Sequence, residues 1–362
     1  MPLIQSRFDA LLRHKAAGLP VPRLTPALAS KLLERLDSLR LFAHAYPQLM
    51  KLTYGTYRPI DLLDFAYRHA LDGISIHLLD GEERSLQQMS DDQLRIVSRR
   101  AEALGLAIHL EISSTQKADV DRVVEVAYVM GLQNIRVYSR YGGRLSEVLE
   151  TIESDLHYLA KQAERYDLYI DFEQHEELKS SEIVTLLERI NHPRLHVLFD
   201  FGNMINAAEQ PLTALKTLAA HIRQVHMKGV RVVPEENGVG HYGVLQGSAE
   251  DDLPNARMLF ELLMLGENGP QVIAFILEQE NHYIAPAFRH VDEDEDPIIP
   301  YREMSQTSLP EGFTLEQMMA EEERWAINQI IYVRGLLQEF RLLAELVLQR
   351  EGESASPCQD LP

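Results

Sequence analysis

The stretch LYIDFEQHEELKSSEIVTLLERINHPRLHVLFD, residues 168–200, holds a short apolar run ending in an acid, an amphipathic segment, and a second short apolar run ending in an acid. The runs LYIDFE (168–173) and LHVLFD (195–200) are rich in Ile, Val, Leu and aromatic residues, as strands covered on both faces should be. Between them, SSEIVTLLERI (180–190) opens on a capping serine, Ser180 or Ser181. It carries Ile183, Leu186, Leu187 and Ile190 on one stripe. Such a strand–helix–strand unit predicts two parallel strands joined by a crossover helix.

The same alternation recurs on both sides. Strand-like runs are read at 50–55 (MKLTYG), 73–78 (GISIHL), 106–112 (LAIHLEI), 134–139 (NIRVYS), 222–227 (IRQVHM) and 272–278 (VIAFILE), which makes eight with the first two. DDQLRIVSRRAEALG (91–105) places Leu94, Val97, Ala101 and Leu104 on one face and stops at Gly105, a C-cap. Eight such units predict an α/β fold, the closed (β/α)8 TIM barrel. A doubly wound open sheet competes, but no G-x-G-x-x-G turn follows the first strand. The domain reading is a helical extension over 1–48, with SKLLERLDSLRLFAHA as its clearest helix, a barrel over 49–350 and a flexible tail over 351–362. Residues 314–350 read as a long terminal helix covering the barrel. Its apolar positions Leu336, Leu337, Phe340 and Leu343 suit packing on the barrel or on a second copy in a homo-oligomer, and the pattern leaves both open.

Composition narrows the function. Thirty-five basic residues against 55 acidic ones give a net charge of −20. This argues against nucleic acid and against an anionic membrane surface as partners. The single cysteine, Cys358, allows neither an internal disulfide nor a thiolate metal centre, which fits a reducing cytoplasm. No apolar run approaches the roughly 20 residues of a membrane span. The acidic run VDEDED (291–296) lacks EF-hand spacing and reads as a solvated loop.

In a barrel of this kind the chemistry sits where strands end and βα loops begin. Four successive strands end on or near Glu173, Asp200, His226 and Glu278. Neighbouring strands lie about 4.8 Å apart, so the four side chains can converge. Three carboxylates and one imidazole suit Mn²⁺, Mg²⁺ or Co²⁺ better than a structural zinc. A 2+ ion also relieves the repulsion among the carboxylates.

The segments FEQHEELKSSEIVTLL, HVLFDFGNMINAAEQPL, VHMKGVR, GVLQGSAEDDLP and FILEQE resemble the second half of the xylose-isomerase-like, sugar-phosphate isomerase/epimerase superfamily of TIM barrels. The resemblance is strong from 165 to 280 and weak before that. It implies a divalent-metal enzyme whose ligands are Glu173, Asp200, His226 and Glu278. HMKGVR followed by a glycine-containing loop and D-x-P is similar to the inosose dehydratase branch. The extended portion with EQENHYIAPAFRH and DPIIPYREMSQTSLP is similar to the 3-oxo-isoapionate decarboxylase group. His77 stands where many relatives carry Glu, which departs from the usual substrate contacts of that strand.

The resemblance implies a lyase that decarboxylates a small 3-oxo sugar acid. Alternatives are an isomerase or epimerase using Glu173 and Glu278 as an acid/base pair, and a dehydratase. A substrate carboxylate calls for a cation, and Lys228, Arg231 and Arg140 are the candidates. His175 is placed to orient a ligand or donate a proton. His77, His109, Glu111, Asn203, His241 and Glu280 are further candidates. An abasic-site endonuclease shares this barrel but needs a basic DNA-binding face, and a sugar-binding protein without turnover is the non-enzymatic alternative.

Overall fold

The computed structural model describes residues 2–13, 20–303 and 308–355. Cys358 and most of the tail read over 351–362 lie outside the described residues, and the last helix continues to Ala355. Eight parallel strands close into a barrel. They are β1 (Leu41–His44), β2 (Gly73–His77), β3 (Ala107–Ile112), β4 (Asn134–Val137), β5 (Tyr169–Glu173), β6 (Leu195–Asp200), β7 (Ile222–Met227) and β8 (Ala274–Leu277). Each pairs in parallel with its sequence neighbours, and β1 pairs with β8 to close the ring.

The first strand is not where the sequence pattern put it. Residues 50–55 are mostly helical, as part of a short helix Leu49–Thr53, and the strand is Leu41–His44. The helix read over SKLLERLDSLRLFAHA ends at Ser38, so the segment 1–48 supplies a barrel strand as well as helices. Helix Ser180–Ile190 begins one residue earlier than its serines suggested. Lys179 is the N-cap, and its backbone N–H donates to the Glu182 carboxylate at 2.7 Å. Ser90 caps Asp91–Leu104, which stops at Gly105 in a left-handed conformation, φ +69°.

Side chains alternate between the helical shell and the barrel interior. Gly73 makes the interior fit, because a Cβ there would stand 2.4 Å from the Phe42 ring and 2.5 Å from the Ala107 carbonyl. Beneath the mouth, Gln224 donates to Asp171, Arg223 donates to Asp171 at 2.9 Å, and His109 Nδ1 lies 2.6 Å from Gln224 Oε1. Burial pushes the His109 pKa down to about 4, so this residue is a neutral member of an internal layer rather than a site residue.

Helix Leu315–Ala355 packs on its own chain. Val333, Phe340, Leu343 and Val347 are buried in the same core as the barrel helices, and Gln329 donates to the Met227 carbonyl at 2.7 Å. Each such side chain contributes roughly 1.5–3 kcal/mol by burial. The VDEDED loop is tied down at two points: Glu293 accepts from Arg289, and Asp296 accepts from Ser146.

Candidate active site

At the C-terminal mouth, Glu173 comes from β5, Asp200 from β6, His226 from β7 and Glu278 from the residue after β8. All four are buried. One ligand atom from each of Glu173, Asp200 and His226 lies within 4.8 Å of the other two. Glu278 joins them through its Oε2, 3.2 Å from His226 Nδ1. Each of the four keeps one buried atom without a hydrogen-bond partner: Glu173 Oε2, Asp200 Oδ2, His226 Nδ1 and Glu278 Oε2. The three oxygens each lie 3.0–3.2 Å from a cationic side chain, Arg136 or Lys228, so the carboxylates converge on positive charge without conventional hydrogen bonds, a donor set that also suits a hard cation.

Neighbouring groups hold these atoms in place. The backbone N–H groups of Gly202 and Asn203 donate to Asp200 Oδ1 at 2.7 and 2.8 Å, which turns Oδ2 toward the centre. Asn203 Nδ2 donates to Glu173 Oε1 at 3.1 Å. His226 Nε2 lies 3.1 Å from Glu111 Oε1. Nδ1 faces Glu173 and Glu278; burial lowers the imidazole pKa, but Glu278 and Glu111 raise it well above its ordinary value, so a metal held at Nδ1 would replace a proton there. Glu111 is held in turn by Ser75, His44 and Arg136.

Among the four residues, Asp200 is the one whose charge an added cation would favour. Burial raises Asp200 to about 7; Lys228 counters this, and repulsion from Glu278, Glu173 and Glu280 adds to it. Burial opposes the charge on Glu278, but His226 and Lys228 hold it well below the usual carboxylate range. Burial works the same way on Glu111, where Arg136 and His44 keep the pKa well below normal. Burial lowers Lys228, yet Asp200, Glu278 and Glu280 raise it well above its ordinary value. Crowded, hydrogen-bonded carboxylates around one imidazole thus form groups able to hold a divalent metal.

The model of the xylose isomerase-like TIM barrel family matches residues 63–302. The chain belongs to that family. It is 43% identical over 320 residues to the uncharacterized protein YihM of Escherichia coli K12, covering 88% of this chain and 98% of that one. The 3-oxo-isoapionate decarboxylase of Pectobacterium atrosepticum is 22% identical over 166 residues, 45% of this chain and 60% of that enzyme. Among solved structures, a D-psicose 3-epimerase with D-fructose superposes with a TM-score of 0.56 at 12% identity, over 83% of this chain and 99% of that one. That likeness is one of fold.

These residues open to a cleft of about 860 Å³ at the C-terminal mouth of the barrel, the end where barrels of this kind carry their sites. His77, Arg140, His175, Lys228 and Glu280 line it. His77 accepts from the Leu79 N–H at 3.2 Å and faces Ser113 Oγ at 3.1 Å; burial and Arg136 push it down to about 3, so it is neutral. His175 stacks on Tyr138 with ring centroids 3.8 Å apart and lies 3.1 Å from Glu177. Burial lowers its pKa, but Tyr138 and Glu177 raise it to about 10. Arg140 donates to the Tyr138 hydroxyl at 3.1 Å and to the Arg302 carbonyl at 2.6 Å.

Three expectations change. Arg231 lies on Gly229–Pro234, which folds into a hairpin with Val239–Val244; it is half-exposed, pairs with Glu250 at 2.8 Å and is away from the cleft. His241 is buried behind Glu280, with Nε2 3.5 Å from Glu280 Oε2, and does not line the cleft. Glu111 reaches the cleft floor, but its carboxylate is engaged by four neighbours and orients His226.

Two residues were missed. His44, at the end of β1, lies 3.0 Å from Glu111 and 3.8 Å from Glu278. Arg136, on β4, bridges Glu111 and Glu173, with Nε 3.2 Å from Glu173 Oε2. The strand-end rule finds His44 once β1 is placed correctly, and the inward phase of NIRV finds Arg136.

Proposed function

We propose that the chain is a divalent-metal-dependent enzyme acting next to the carbonyl of a small sugar acid. Its finer reading is decarboxylation of a 3-oxo acid of the isoapionate type to a ketose such as L-erythrulose and CO2. The observation that carries this is the convergence of ligand atoms from buried Glu173, Asp200 and His226 within 4.8 Å of one another, with Glu278 Oε2 3.2 Å from His226 Nδ1. These residues would hold Mn²⁺, Mg²⁺ or Co²⁺ in preference to zinc, since three of the four are carboxylates. When bound, the ion supplies Lewis-acid stabilisation of negative charge developing on a carbonyl oxygen.

The other roles fall to cleft side chains. Arg140 has a guanidinium in the cleft and, among the described residues, no carboxylate partner within ion-pair distance, so it seats the substrate carboxylate. Holding the substrate at that end fixes the bond to be broken relative to the carbonyl π-system. His175, kept protonated, donates a proton to the enediol carbon once CO2 has left. Lys228 is surrounded by three carboxylates and is not the seat of the substrate carboxylate.

A second reading, an isomerase or epimerase, is favoured by one observation. Glu173 and Glu278 lie 3.6 and 3.2 Å from His226 Nδ1, two carboxyl groups beside one cleft that such a mechanism uses as acid and base once one of them has taken a proton from the substrate. Mn²⁺-loaded protein incubated with 3-oxo-isoapionate is expected to release CO2 and a four-carbon ketose. Absence of CO2, with deuterium entering a ketose from D2O, would overturn the lyase reading in favour of the second.

A further inference from the structure

Lys228 is buried at the bottom of the cleft, 1% exposed, and its ammonium has two kinds of neighbour. On one side lie Asp200 Oδ2 at 3.0 Å and Glu278 Oε2 at 3.2 Å, oxygens of two residues assigned above to a metal. On the other side it donates to Glu280 Oε1 at 2.7 Å and to Asn203 Oδ1 at 3.3 Å, neither of which belongs to that set.

The second side is a built seat. Glu280 is backed by His241 at 3.5 Å, His241 Nδ1 lies 2.7 Å from Asn206 Oδ1, and Asn206 donates to the Ala285 and Pro286 carbonyls at 3.0 and 2.7 Å. The lysine stem runs past Gly202, where a Cβ would stand 3.4 Å from Lys228 Cδ and 2.9 Å from Val230 Cγ1.

Two permanent cations share the carboxylates of the cleft floor. Arg136 pairs with Glu111 and Glu173, and Lys228 pairs with Asp200, Glu278 and Glu280. Three buried carboxylates without the lysine would repel one another with no permanent cation among them. An ammonium about 3 Å from two would-be ligand oxygens also repels a divalent ion approaching the same oxygens.

We propose that Lys228 is a resident cation that neutralises Asp200 and Glu278 in the metal-free protein and yields them to an incoming divalent ion, keeping Glu280 and Asn203 as its seat. This rests on the metal reading above. The lysine sets metal affinity: it keeps the empty cluster stable and makes binding weaker and more reversible than four ligands alone would give.

The test is Mn²⁺ binding to the full chain, read by calorimetry and by the EPR signal of free Mn²⁺, with no substrate present. Lys228→Met is expected to bind Mn²⁺ at least about tenfold more tightly than wild type. Lys228→Arg, which keeps the charge, is expected to stay closer to wild type than to Lys228→Met. Glu280→Gln removes the alternative seat, drives the ammonium onto Asp200 and Glu278, and is expected to weaken binding about tenfold. If Lys228→Met folds only in the presence of Mn²⁺, the Glu280→Gln measurement decides. Wild-type binding with equal or weaker affinity in Lys228→Met, or undiminished affinity in Glu280→Gln, overturns the proposal and leaves the metal reading standing. No Mn²⁺ bound by wild type and Lys228→Met alike overturns both.

Discussion

Ser75, His44, Arg136 and His226 all meet the Glu111 carboxylate, which is completely buried and held ionised by its neighbours. A charge fixed in this way acts through the imidazole it orients. Glu111→Gln is therefore expected to weaken Mn²⁺ binding about 10–100-fold, measured by calorimetry. It should also destabilise the fold, by less than the roughly 3–5 kcal/mol of a fully broken buried pair, because Arg136 keeps Glu173 as its second buried carboxylate. The two arginines proposed from sequence should behave in opposite ways. Arg231→Ala removes an exposed ion pair and is expected to change stability by no more than about 0.5 kcal/mol and kcat/KM not at all. Arg140→Met is expected to lower kcat/KM for an acidic substrate about 10–100-fold, with Mn²⁺ affinity unchanged. Why Arg231 misled is visible in its surroundings: it follows a site strand by four residues, but the chain turns into a hairpin that carries it to the surface. That Glu173, Asp200, His226 and Glu278 lie together was legible because strand ends share one phase, whereas the hydrogen bonds around Glu111 join five strands and left no local trace in the sequence.

Among the elements, seven of the eight barrel strands lay where apolar runs placed them, and β1 did not. LFAH contains no β-branched residue and follows directly on a well-formed helical pattern, so local preference favoured continuing the helix. MKLTYG looked more strand-like, yet it lies on a helix whose first turn is held from far along the chain. Glu322 on the terminal helix accepts from the Met50 backbone N–H at 3.0 Å. Burial raises the Glu322 pKa to about 8, against smaller lowering by the Met50 N–H and Lys51. Between pH 4.5 and 8 the unfolded chain has released this proton while the folded chain keeps it. The unfolded state then binds fewer protons, and stability falls as pH rises. Glu322→Gln keeps an acceptor for Met50 and removes that dependence. Thermal melts of the two proteins are expected to converge near pH 4.5 and to separate toward pH 8, with the variant more stable by on the order of 3 kcal/mol. A gap that does not grow with pH would contradict the assignment.

Taken as a whole, the molecule sets an acidic surface, net charge −20, around a mouth where buried acids outnumber buried bases. No described helix is long and apolar enough to cross a membrane. The terminal helix, whose apolar face suited either the barrel or a second copy, is used by the barrel: Phe340, Leu343 and Val347 lie in the common core. The central claim is that Glu173, Asp200, His226 and Glu278 share one divalent ion. Anomalous diffraction at the manganese edge from crystals soaked in Mn²⁺ tests it most directly. A single strong peak within about 2.5 Å of an oxygen or nitrogen from each of the four residues is the expected result. A peak elsewhere, or none at this position in crystals where all four side chains are ordered, would contradict it.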